Sequence, residues 1–119
     1  MGHVALDAET RQVSEDVTLV TLTGELDVYT SQELRQRIAD LVDRGLTRLI
    51  LDLNGVSHMD STGLGVLIGA MRQVTKSGGD LKLLCDNRRT LRMLGITGMD
   101  RIFEICRDEE QARQAFAHA

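Results

Sequence analysis

Two apolar runs, each followed by a stretch of helical periodicity, limit what this chain can fold into more than any other feature. Val17 to Thr23 is dense in Val, Leu and Thr and reads as a buried strand that stops at Gly24. A helix then begins at Thr30, where Glu33 three residues on completes a capping-box pattern, and Leu34, Ile38, Leu41 and Val42 recur at helical spacing. Gly45 is placed to end it, and Arg35, Gln36, Arg37, Asp40 and Asp43 fall on its solvated face. The pattern repeats with Arg48 to Leu53 as a second buried strand and Asn54 to Met59 as an irregular connection. Leu67, Ala70, Met71 and Val74 then form one side of a second helix that ends near Ser77-Gly78-Gly79.

Shorter elements follow: a strand over Leu81 to Cys85, a helix over Arg88 to Leu94 closed by Gly95, and a strand over Ile102 to Cys106. A final amphipathic helix opens at Asp108 and runs through Ala112, Ala115 and Phe116, and Val4, Ala5 and Leu6 are placed to supply an edge strand. Strands alternating with helices at this rhythm predict an α/β fold with at least one parallel pair. With 119 residues, no repeats, no Pro and no linker, the expectation is one domain spanning 1–119.

Composition narrows the function. No Trp, one Tyr and two Phe leave the core to Leu, Val, Ile, Met and Ala, and leave few side chains on which a base could stack. A net charge of -4 argues against nucleic acid, which needs a basic face. Cys85 and Cys106 are too few for a disulfide framework or a four-cysteine metal site, so buried free thiols in a reducing compartment are expected. No run approaches the roughly 20 apolar residues of a membrane span, and no signal peptide is recognisable, so the expected location is the cytoplasm, away from membranes. No metal-ligand spacing and no cofactor motif stands out.

The segment Asp60-Ser61-Thr62-Gly63-Leu64-Gly65 carries the chemistry. It lies at the mouth of the second helix, where unpaired N–H groups and the helix dipole favour an anion. Asp60 or Ser61 is therefore the expected cap. Gly63 and Gly65 each cost about 0.5 to 1 kcal/mol in a helix relative to Ala, so they require a further reason, either close approach by another protein or close internal packing. Leu64 and Val66 are core residues or a small apolar contact for a partner. If the two long strands are neighbours, the acidic turn Gly24-Glu25-Leu26-Asp27 brings Asp27 beside Asp60. Phosphate on Ser61 would then add about -1.5 to -2 charges to that patch, an event felt by a partner rather than by the fold.

These pieces together resemble the STAS domain, in particular the stand-alone anti-sigma factor antagonists. The resemblance rests on Gly24-Glu25-Leu26-Asp27 after a strand, Leu49 to Leu53 with Val56 after it, Met59-Asp60-Ser61-Thr62-Gly63-Leu64-Gly65, and Leu94-Gly95-Ile96. It covers about residues 15 to 106. It implies a curved mixed sheet of four to five strands covered by about four helices. It also implies a binding module rather than an enzyme: the unmodified protein binds an anti-sigma factor that is itself a serine kinase, and phosphorylation of Ser61 breaks the complex. Thr62 is the weaker candidate hydroxyl. The implied docking residues are Glu25, Asp27, Asp60, Ser61, Thr62, Gly63, Leu64 and Gly65, a PP2C-type phosphatase is the implied second partner, and ATP belongs to the kinase. The chain itself is expected to be a monomer or a weak dimer. STAS domains also occur on anion transporters and in stress-sensing and lipid-transport assemblies.

Two rival classes fit the sequence less well. Gly63-Leu64-Gly65 with Gly69, and Asp86 further on, approximate a dinucleotide fingerprint, but Asn54 to Thr62 separate the glycines from the strand they should follow. A serine hydrolase elbow requires Gly where this chain has Met59, and His58 has no evident acid to orient it. His3 and His118 sit near the termini, and Arg88, Arg89 and Arg92 read as a solvated basic face.

Overall fold

A computed structural model describes residues 5–117. In chain order they form β1 (Leu6–Ser14), β2 (Val17–Leu26), α1 (Ser31–Asp43), β3 (Arg48–Met59), α2 (Ser61–Lys76), β4 (Asp80–Leu84), α3 (Arg88–Ile96), a 3-10 turn (Met99–Arg101), β5 (Ile105–Cys106) and α4 (Glu109–Ala117). The five strands make one sheet in sequence order. β1 and β2 are an antiparallel hairpin, whereas the pairs β2–β3, β3–β4 and β4–β5 are parallel. A mixed sheet with four helices is the architecture the resemblance implied.

Helices cover both faces, which explains why the central strands read as unbroken apolar runs rather than as an alternation. Leu49 and Leu51 of β3 pack with Leu34, Ile38 and Leu41 of α1 and with Val66, Leu67, Ala70 and Val74 of α2. Ile50, between them, points to the other face and meets Val17, Leu19, Leu84 and Cys106 together with Ala112 and Phe116 of α4. On that face the Phe116 ring lies under two cations, Lys82 Nζ at 4.9 Å and Arg48 Cζ at 5.1 Å. Burial works against the Lys82 charge, but ion pairs to Asp80 at 3.1 Å and Glu104 at 2.9 Å outweigh it and raise its pKa.

The long strands outrun the sequence reading. β2 does not stop at Gly24 but continues to Leu26. Gly24 has φ +116° and a β-carbon there would sit 2.1 Å from the Ala5 carbonyl oxygen, so it marks a crossing of backbones inside the sheet and not an end. Asn54 to Met59, read as irregular, is the second half of β3. The register with β2 shifts twice along it, once between Thr21 and Thr23 and once between Gly24 and Glu25. The inward residues Leu53, Val56 and Met59 consequently recur every third position, which hides the strand period of two.

Smaller differences lie downstream. β4 is Asp80–Leu84 rather than Leu81 to Cys85, and Gly95 lies inside α3, the left-handed turn falling instead at Gly98 with φ +77°. β5 keeps only Ile105 and Cys106 of its expected span, the Ile102 and Phe103 N–H groups donating back to the Met99 carbonyl oxygen instead of to a strand. At the N-terminal edge the strand begins at Leu6, Ala5 precedes it, and Val4 is outside the described residues. His3 and His118 are outside them too.

Cys85 and Cys106 are buried free thiols, and they pack into the two separate apolar clusters on opposite faces of the sheet. Burial is the leading reason that both have raised pKa values. The folded protein thus holds the thiol protons more tightly than the unfolded chain does. Their contribution to stability is complete below the ordinary thiol pKa and falls as pH rises past it. Ellman's reagent at pH 8 is expected to leave both thiols unmodified in native protein and to titrate both in denaturant. Rapid labelling of the native state would contradict this burial.

Candidate functional site at the start of α2

Because β2 and β3 are parallel neighbours, the exit of β2 and the exit of β3 lie at the same end of the sheet. Leu26 pairs with Met59, and the Asp60 N–H donates to the Leu26 carbonyl oxygen at 3.2 Å. This parallel register brings the acidic turn to the mouth of α2.

Asp60, and not Ser61, is the cap. Its backbone is extended (φ -107°, ψ -176°), and its Oδ1 accepts from the Gly63 N–H at 3.0 Å. Its other oxygen, Oδ2, accepts from the Val28 N–H at 3.2 Å. One carboxylate thus satisfies an end group of α2 and ties the β2–α1 loop to it. Asp60→Asn should separate the two tasks, since an amide can keep the oxygen toward Gly63 but presents N–H groups toward Val28. We expect Asp60→Ala to lower stability by about 1 to 3 kcal/mol, from the lost cap and the lost loop bond, and Asp60→Asn by about half of that. Urea titration checks both, and equal midpoints for Asn and wild type would show that the Val28 bond contributes nothing.

With the cap assigned to Asp60, Ser61 is the first helical residue, and its side chain is exposed. Thr62, the next residue, is exposed as well. Neither hydroxyl is needed to close the helix.

The two glycines differ. Gly63 is buried, and a β-carbon there would lie 2.4 Å from the Leu26 carbonyl oxygen and 2.9 Å from Leu26 Cγ. Its missing side chain serves internal packing of α2 on the β2 exit. Gly65 is exposed and a β-carbon there would meet nothing within 4 Å. It is the glycine that leaves room outside the molecule. Leu64, between them, is half-buried against the core, and Val66 is core.

Asp27 is only 7% exposed. Its Oδ1 accepts from the Tyr29 N–H at 2.9 Å and the Thr30 N–H at 3.0 Å, and its own N–H donates to Thr30 Oγ1 at 3.0 Å. Thr30 Oγ1 donates in turn to the Glu25 carbonyl oxygen at 2.7 Å. Thr30 therefore caps α1 by position, as its sequence context suggested, but its hydroxyl is turned back into the loop instead of toward Glu33; no side-chain cap bond forms. Glu25 is half-buried and pairs in register with His58. Of the eight expected residues Ser61, Thr62 and Gly65 are exposed, Glu25, Asp60 and Leu64 are half-buried, and Asp27 and Gly63 are buried.

Sequence reasoning passed over Val28 and Tyr29, the loop's outward residues. The available signal was an apolar pair set in a turn between Asp27 and Thr30, where polar residues are the rule.

The rivals gain no support from this geometry. β3 runs to Met59, so the separation between strand and glycines is smaller than the sequence suggested, but the glycines lie within α2 and the first is packed against Leu26, closed to a pyrophosphate. His58 is an exposed strand residue. Among the described residues no cluster of His, Cys, Asp and Glu is disposed to hold a metal, and no helix is long and apolar enough to cross a membrane.

Known proteins resemble this chain in sequence and in fold. The chain is 38% identical over 105 residues to an anti-sigma-B factor antagonist of Bacillus subtilis, covering 88% of this chain and 94% of that protein. It is 34% identical over 86 residues to the Staphylococcus aureus protein of the same name, covering 72% and 80%. A crystal structure described as a putative anti-sigma factor antagonist from Thermotoga maritima superposes with a TM-score of 0.82 at 25% identity, over 91% of this chain and 92% of that one. The family model that matches, over residues 9–112, is that of the STAS domain. A match across that span, joined by relatives more than a third identical, makes this chain a member of the STAS domain family.

Proposed function

We propose that this protein is an anti-sigma factor antagonist, a single STAS domain over 1–119 that switches partners through Ser61. In its unmodified form it binds a kinase-type anti-sigma factor and so releases the sigma factor. The kinase then transfers the γ-phosphoryl group of ATP to Ser61: the Oγ–P bond forms, ADP leaves, and the hydroxyl proton passes to a base of the kinase. A PP2C-type phosphatase hydrolyses the ester and restores the binding form. The protein is a substrate and a docking module; it performs no catalysis of its own, needs no cofactor, and works in the cytoplasm.

The observation that carries this reading is an exposed hydroxyl on the first residue of α2 whose helix is already capped by Asp60. Such a hydroxyl is free to be modified, because the fold does not use it. The names of the relatives favour the same role. Contact with the kinase is assigned to Ser61, Thr62, Leu64 and Gly65, with Asp27, Glu25, Asp60 and Gly63 shaping the surface beneath them.

The test is to incubate the purified protein with the kinase-type anti-sigma factor of its host and ATP, then map the phosphate by mass spectrometry. Stoichiometric phosphate on Ser61 is expected. Phosphate on Thr62 or elsewhere, with Ser61 unmodified, would refute the site.

A further inference from the structure

Val28 and Tyr29 are 57% and 69% exposed, two large apolar side chains set side by side on the surface of a small domain. Both other aromatic residues of the chain, Phe103 and Phe116, are core. Exposed apolar side chains also occur at Ile96 and Ile102, but only Val28 and Tyr29 stand on the loop bonded to Asp60, the residue that precedes Ser61.

Their exposure does not come from a loose loop. The backbone is held at the Val28 N–H by Asp60, at the Tyr29 and Thr30 N–H groups by Asp27, and at the Ser31 N–H by the Asp27 carbonyl oxygen at 2.9 Å. The Ser31 hydroxyl closes the turn on the Val28 carbonyl oxygen at 3.4 Å. Two buried or half-buried carboxylates are thus spent on fixing a four-residue segment whose outward product is an apolar pair. A side chain presented by a preorganised backbone loses little entropy on binding, and tyrosine, with two side-chain torsions and a large amphipathic ring, is the residue type enriched at binding hot spots.

We infer that Tyr29, with Val28 beside it, is the anchor by which the kinase-type anti-sigma factor grips this protein, and that it enters an apolar recess bordering the kinase's nucleotide site. This rests on the function proposed above and names its energetic centre. The recess is placed there because the loop that carries Tyr29 is bonded through Val28 to the residue next to the phosphate acceptor, so a kinase that holds this loop also holds the start of α2. Asp27 acts through this loop as a positioning residue, and the charge of the patch has the separate task of answering to phosphate.

Calorimetry with the host's kinase-type anti-sigma factor, at low and high salt, tests the inference on wild type, Tyr29→Ala, Tyr29→Phe and Ser61→Asp. Tyr29→Ala is expected to weaken binding roughly 30-fold, with the loss unchanged by salt, and Tyr29→Phe to bind within about 3-fold of wild type. Melting temperatures are recorded alongside, so that a weakly binding variant which stays folded at the temperature of the titration reports on the interface alone. If Tyr29→Ala binds as wild type does while Ser61→Asp fails to bind, the anchor is refuted and the phosphoswitch stands. If Tyr29→Phe is as weak as Tyr29→Ala, the hydroxyl and not the apolar ring is recognised, which also overturns the inference. If wild type itself does not bind the kinase, or Ser61→Asp binds equally well, the proposed function has failed and the anchor with it.

Discussion

Replacing Gly63 by alanine is expected to damage this protein far more than the same change two residues on at Gly65. The new β-carbon would stand 2.4 Å from a backbone oxygen of β2 and 2.9 Å from the Leu26 side chain, and a backbone atom cannot swing aside as the end of a flexible side chain can. Relief requires α2 to lift from the sheet, which disturbs Asp60 and the loop it holds. Overpacking of this kind costs roughly 3 kcal/mol or more, and in a domain of this size it lowers the melting temperature by on the order of 10 °C. Gly65→Ala is the matched control. That position is open, so the change should raise stability by about 0.5 to 1 kcal/mol through helix propensity. Thermal melts of the pair decide whether the two glycines have the distinct tasks assigned to them; equal melting temperatures would show that they do not.

The second large effect is on recognition. Ser61 makes no cap bond, so Ser61→Ala should change stability by less than about 0.5 kcal/mol. Ser61→Asp places a negative charge at the positive end of α2 and should stabilise the fold slightly, by about 0.3 to 1 kcal/mol. Binding responds in the opposite sense. If charge and bulk at this point cost the interface about 3 kcal/mol, affinity for the kinase falls on the order of a hundredfold, with Asp giving part of the effect of a phosphate because it carries a single charge. A variant that is at least as stable as wild type yet binds far less tightly cannot be explained as a misfolded one. Equal affinity of the Ala and Asp variants in calorimetry would defeat the charge mechanism.

How legible all this was in the sequence varied with the kind of interaction involved. The core helices were readable because their periodicity is a local property: Leu34, Ile38 and Leu41 of α1, and Leu67, Ala70 and Val74 of α2, are buried where the spacing put them. Gly45 and Gly78, with φ +80° and +83°, end helices as read. The outer half of β3 was not legible, since its inward positions Leu53, Val56 and Met59 acquire their spacing from two register shifts against a strand about 30 residues away. Local pattern contains no trace of that partner.

At the site the same division holds. The anion-favouring helix start could be seen in Asp60 to Gly65, and the neighbourhood of Asp27 and Asp60 followed once the two strands were placed side by side. What each carboxylate does could not be read. That Asp60 divides its oxygens between Gly63 and Val28, and that Asp27 is turned into its own loop, depends on how the β2 exit bends over α2. The difference between Gly63 and Gly65 likewise appears only when Leu26 is beneath one of them. The order of the turn at Val28 and Tyr29 was equally illegible, since it depends on hydrogen bonds to Asp27 and to Asp60 on a distant element.

The account stands on a fold that tolerates a phosphate which its partner refuses. The most direct measurement takes protein phosphorylated at Ser61 and unmodified protein, records the melting temperature of each, and titrates each against the kinase-type anti-sigma factor. The prediction is melting temperatures within a few degrees of one another together with an affinity at least on the order of a hundredfold lower for the phosphorylated form. Unchanged affinity, or a loss of binding that comes with a collapse of the melting temperature, would contradict it.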